Sequence, residues 1–202
     1  MEIDFNLPLF LLGLIILLLI ARRTWRCSHS LGKCGALVLL GIYLMFVIRE
    51  TLFPIDVDPW RRSVMQEAGV GFWDRINWIP FYFGPFTSWR TIEWNMGLNS
   101  LLSLPFGLLI GLYRPVTWKR MAVYSLAFGL IIEAVQLIIG LLLGYPYRVT
   151  DINDVLANAA GVWLGFGLFL LSSHVLLWLT RGPRWKNNRL HKYIEQAVHP
   201  QK

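Results

Sequence analysis

Polar side chains that an apolar helix does not carry without a reason recur at four places in the chain. Arg49 and Glu50 close one apolar run, and Asn99, one turn after Asn95, opens the next. Glu133 and Gln136 sit in the middle of a third run, three apart and so on one helical face. Arg148, Asp151 and Asp154 precede a fourth run, and Asn158 lies in its first turns. The three-four spacing of Asp151, Asp154 and Asn158 projects all three one way. Two kinds of chemistry are open to such a set. Guanidinium groups hold anionic headgroups while carboxylates and amides position them by hydrogen bonds. Paired carboxylates, here Glu133 with Asp154, also serve as general acid and base. Plainer roles compete. Asp151, with Thr150 and Asn153, suits the start of a helix. Arg49 and Glu50 suit an interfacial ion pair, and Gln136 suits a bridge between helices. Glu133 fits a plain role least well. It lies roughly 15 Å below its helix end at 1.5 Å per residue. A carboxyl there is protonated, paired or hydrated. Arg49 or Arg148 is its expected partner.

The elements that must position these residues are membrane helices. The chain has 202 residues, of which 55% are hydrophobic and only 15% charged. Soluble domains carry nearer about 25% charged residues. The apolar excess falls in long runs, the signal for bilayer spans. Five are expected, at about residues 7–21, 35–53, 97–113, 121–143 and 155–179. The first is not a signal peptide, because Glu2 and Asp4 precede its apolar run and the basic residues follow it. The expected fold class is all-α, a single polytopic bundle over residues 1–202.

The net charge is +7, and the basic residues cluster beside the spans. Arg22, Arg23, Arg26 and Lys33 fill the first loop, and Arg114, Lys119 and Arg120 the third. Arg181, Arg184, Lys186, Arg189, Lys192 and Lys202 fill a tail at 181–202. An odd number of spans puts all three blocks on one side, the cytoplasmic one. The N-terminus is then outside, the C-terminus inside, and the polar residues gather toward the outer face. Charge used this way reports topology, so nucleic acid is not an expected partner. The tail is expected to be solvated or to touch anionic headgroups. Residues 54–96 form an outer segment rich in Trp, Phe and Tyr, with Pro80 and Pro85 and no long helical pattern. Such rings settle at headgroup level. The segment reads as an interfacial cap, either an anchor or a lid over a ligand. Cys27 and Cys34 are expected to be free thiols in the cytoplasmic loop. With His29 alone beside them they make no metal site. His174, His191 and His199 also fall away from the polar cluster. No metal is expected, and no cofactor can be named.

Small residues recur at spacings of four, as Ala157, Gly161 and Gly165 and as Gly107 and Gly111. That pattern lets helices approach closely.

The same stretches resemble the VanZ-like family of bacterial membrane proteins. Arg49-Glu50-Thr51-Leu52-Phe53-Pro54 and Asn77-Trp78-Ile79-Pro80-Phe81 carry the resemblance. It continues in Asn99, Leu104-Pro105-Phe106-Gly107 and Glu133-Ala134-Val135-Gln136, and ends in the run from Arg148 to Gly161. It covers about residues 43 to 170. The resemblance implies a multi-pass protein of the bacterial plasma membrane. The family's namesake is associated with low-level resistance to the glycopeptide teicoplanin.

Four functions fit these observations. One is binding of an amphiphilic envelope ligand in an outward-facing polar pocket, the ligand being a membrane lipid, a lipid-linked wall precursor or a lipoglycopeptide. Arg49 and Arg148 would hold an anionic headgroup, and Glu133, Asp151 and Asp154 would position it, directly or through a metal. The second is an enzyme acting on a lipid headgroup, although no nucleophile motif accompanies the carboxylates. The third is a transporter, although no internal repeat is evident. The fourth is a scaffold in which the polar groups bind helices together.

Overall fold

The computed structural model describes residues 2–84, 87–182 and 188–198. Pro85, Phe86, Arg184, Lys186, His199 and Lys202 lie outside the described residues. Five long helices dominate: α1 (Leu7–Ser28), α2 (Leu31–Leu52), α4 (Trp89–Tyr113), α5 (Trp118–Leu143) and α6 (Ile152–Leu179). All five are long and apolar enough to cross a bilayer. Two shorter helices, α3 (Pro59–Glu67) and α7 (Arg189–Val198), complete the all-α bundle.

The helices outrun the apolar runs because caps, not hydropathy, set their ends. Ser30 accepts from the Lys33 N–H and starts α2 four residues before its apolar run. Ser88 accepts from the Thr91 N–H and starts α4 eight residues early. Helix α1 continues through Arg22, Arg23 and Arg26 to His29, which closes it in the left-handed region at φ 45°. Arginine is a good helix former, so leaving the hydrocarbon does not end the helix.

The tightest packing joins α4 to α6. A Cβ on Gly107 would collide with the Val162 carbonyl, one on Gly161 with the Ser100 carbonyl, and one on Gly165 with the Leu104 carbonyl. Backbone lies on backbone at each of these points. The Ser100 hydroxyl donates to the Ala157 carbonyl at 2.9 Å across the same seam. Gly129 brings α5 close to the Val155 backbone of α6, less tightly than at that seam. Helix α1 packs on α2, with Leu17 seated against Gly41.

The described residues between 54 and 96 are more ordered than their composition implies. They hold α3, a 3-10 turn at Phe72–Arg75 and the first turns of α4. Two short strand pairs tie this segment down. β1 (Glu2–Ile3) pairs antiparallel with β2 (Ile55–Asp56), and β3 (Ile76–Asn77) pairs parallel with β4 (Thr150–Asp151). Trp60, Trp73, Trp78, Phe81, Tyr82, Trp89 and Trp94 remain exposed on it. Part of the basic tail also folds back. In α7 the Tyr193 hydroxyl donates to the Leu112 carbonyl of α4, and Ile194 is buried.

Candidate functional site

The polar residues meet at one end of the bundle, where α2 and α5 finish and α4 and α6 begin. The link between β3 and β4 sets that end. It places Asn77 beside Asp151, and the Asn77 amide donates to Asp151 Oδ1 at 2.8 Å. Asp151 caps α6, accepting from the Asn153 N–H at 2.8 Å. Its own N–H donates to Glu133 Oε2 at 2.9 Å. Glu133 is therefore partnered by the backbone at the start of α6, not by the guanidinium of Arg49 or Arg148. A main-chain N–H satisfies a carboxylate oxygen without a second charge having to be buried.

Gln136 lies one turn further along α5. Its amide donates to the Thr51 carbonyl at 2.8 Å and ties α5 to the end of α2. Arg148 donates from Nη2 to the Phe53 carbonyl at 3.0 Å, just past the same helix end. The guanidinium thus reaches the last carbonyls of α2, where a cation is favourable. Burial holds the neighbouring Tyr147 phenol above its usual range.

Between α2, α4, α5 and α6 a cleft of about 740 Å³ opens. Glu50, Asn99, Glu133, Gln136, Arg148, Asp154 and Asn158 all line it. The Asn99 amide is within hydrogen-bonding reach of the Asp154 carboxyl. Asn158 is only 2% exposed, and its Oδ1 meets no donor. Phe46, Leu98 and Leu101 line the same cleft, and all three are exposed on the surface of spanning helices. The cleft thus joins a polar wall to an apolar rim.

Two expected site residues stand elsewhere. Arg49 points away from the cleft. It lies 3.7 Å from Glu50 in an exposed ion pair and lines a separate hollow of about 310 Å³ with Asp4 and Phe5. Successive helical residues differ by about 100° in direction, so Arg49 turns out of the cleft, while Glu50 borders both the cleft and the hollow. Asp151 lines a second cavity of about 390 Å³, with Asn77, Tyr82, Asn95 and Asn153. Asp154 and Val149 line both cavities. Among the described residues no three His, Cys, Asp or Glu side chains come together as metal ligands.

Tyr43 and Asn153 matter more than their positions in the sequence imply. The Tyr43 hydroxyl donates to the Leu102 carbonyl at 2.6 Å and closes the cleft floor between α2 and α4. A tyrosine deep within a span, away from the headgroup level where such rings collect, was the available signal. Asn153 reads in sequence as one more residue beside a helix start. It instead accepts from the Phe81 N–H at 2.6 Å and donates to the Tyr82 carbonyl at 2.8 Å, fastening the aromatic segment to α6.

Five apolar helices, four of them around a polar cleft, define a multi-pass membrane protein. The chain belongs to the VanZ/LLP1 family, whose model matches residues 40–173. That match takes in every polar residue of the cleft and leaves out all of α1 and all of α7. No curated protein and no solved structure matches the chain.

Proposed function

We propose that this protein binds an amphiphilic envelope molecule, with the headgroup in the cleft and the acyl or prenyl chain leaving past Phe46, Leu98 and Leu101 into the bilayer. One observation carries the reading: polar residues from four separate stretches line one cleft whose rim is apolar and faces outward from the helices. Buried polar groups within spans are costly and mark functional sites. A cleft with a few convergent polar groups and apolar walls is the usual form of a small-molecule site. The ligand classes that suit it are membrane lipids, lipid-linked wall precursors and lipoglycopeptides. The protein works in the bacterial plasma membrane with the cleft toward the outer leaflet, and its binding alters susceptibility to teicoplanin.

The test measures teicoplanin susceptibility and membrane abundance together in a strain lacking the native gene. The unaltered protein, Glu133→Gln and Arg148→Ala are compared. Binding predicts altered susceptibility at unchanged abundance. Parallel loss of abundance and phenotype makes the cluster structural and rejects the proposal, as does full activity of both variants.

A further inference from the structure

The charge and hydrogen-bonding balance of the cleft points to the kind of headgroup it takes. Glu50, Glu133 and Asp154 line the cleft against the guanidinium of Arg148, and Glu50 also faces Arg49. Arg148 spends one of its N–H groups on the Phe53 carbonyl. Gln136 spends an N–H on Thr51. Carboxyl groups thus outnumber guanidinium groups on the cleft wall. Asn158 adds an acceptor with no partner. It follows Asp154 by one helical turn, is 2% exposed, lines the cleft, and has an Oδ1 with no donor. Buried acceptors are nearly always satisfied, and an orphan calls for a group absent from the protein itself.

We propose that the cleft selects amphiphiles whose headgroup carries a primary ammonium, with Asn158 Oδ1 accepting one N–H and the Glu133 and Asp154 carboxyls facing the charge. This rests on the binding reading above and narrows it. An ammonium supplies three donors and one positive charge, which suits a wall on which carboxyl groups outnumber guanidinium groups. A quaternary ammonium brings the charge without the N–H groups, and a glycerol headgroup brings O–H donors without the charge. The three headgroups therefore separate the two requirements. An anionic headgroup held by two arginines, the arrangement expected from sequence, loses its basis because Arg49 is outside the cleft.

The experiment is native mass spectrometry of the full chain, released from detergent after equilibration with phosphatidylethanolamine, phosphatidylcholine or phosphatidylglycerol of matched acyl chains. The unaltered protein should retain phosphatidylethanolamine about tenfold better than either competitor. Asn158→Leu should remove that preference, and Asn158→Asp, which keeps an acceptor, should preserve it. Equal retention of phosphatidylethanolamine and phosphatidylcholine shows that N–H donors are not read and overturns the proposal. Preference for phosphatidylglycerol over both overturns it in favour of a polyol headgroup. Retention of all three lipids at the same level by the unaltered protein and by Arg148→Ala overturns the binding reading itself. The comparison of headgroups on the unaltered protein decides the matter even if Asn158→Leu fails to reach the membrane.

Discussion

Gln136 and Asn158 are both buried amides within spans, yet they stand in opposite conditions. Gln136 donates to the Thr51 carbonyl, so its role is settled within the bundle. Replacing it by leucine keeps the bulk and leaves that carbonyl without its partner. Interhelical hydrogen bonds in membranes contribute about 1 kcal/mol. Gln136→Leu should therefore lower the melting temperature in detergent by a few degrees; an unchanged melting point would mean that the bond contributes nothing net. Asn158 has no such partner for its Oδ1. Removing an unsatisfied acceptor relieves a desolvation cost of about 1–3 kcal/mol. Without added lipid, Asn158→Leu should be at least as stable as the unaltered protein, despite its changed shape. A clear loss of melting temperature in that variant would show that the amide is structural. The pair also shows where reading residues one at a time falls short. Both positions stand out from their apolar surroundings, but only the fold shows which one is already satisfied.

At the scale of elements, the seam between α4 and α6 holds the cleft in shape. Asn99 is on one side of that seam and Asp154 and Asn158 are on the other. Gly165 lies further along, with the Leu104 carbonyl where a side chain would begin. The obstacle is backbone, so it cannot rotate aside. Overpacking costs typically about 1–3 kcal/mol where relaxation is possible, and a rigid seam falls at the upper end. Gly165→Leu should abolish accumulation of folded protein, whereas Gly167→Leu, where nothing lies within 4 Å, should be tolerated. Membrane abundance and gel-filtration profile read both outcomes. The aromatic segment is held more lightly, by Asn153 and Asn77. Asn153→Ala removes two of its links to the bundle. Chymotrypsin should then cut faster after Phe81 and Tyr82, while the long helices melt as before. Unchanged cleavage would show that the β3–β4 pairing and the Asn77 bond hold the segment without Asn153.

For the whole molecule, the five spans were legible because hydrocarbon demands about 20 apolar residues in a row and the chain has few other ways to meet that demand. The close seam was legible for a related reason: Gly161 and Gly165, four apart, have no other evident use inside a lipid-facing helix. The grouping of Glu133, Arg148, Asp154 and Asn158 followed from placing polar residues on those spans. What the sequence left hidden was direction. Arg49 follows its own helix face out of the cleft, and Asp151 turns back to cap α6. Asn153, hidden among cap-forming neighbours, reaches a segment more than 70 positions away. Which way the bundle faces is an expectation that rests on the basic blocks alone, and labelling tests it. Cys27, exposed near the end of α1, lies at the basic end of the molecule, and Trp60, exposed on α3, lies at the other. Positive charge is retained on the cytoplasmic side. In intact cells a membrane-impermeant maleimide should therefore leave Cys27 unmodified and should modify a cysteine introduced by Trp60→Cys in a background with Cys27 and Cys34 replaced by serine. After permeabilisation both sites should react. The reverse pattern would place the cleft on the cytoplasmic leaflet, where an extracellular glycopeptide has no access, and the ligand would then have to be a lipid of the inner leaflet.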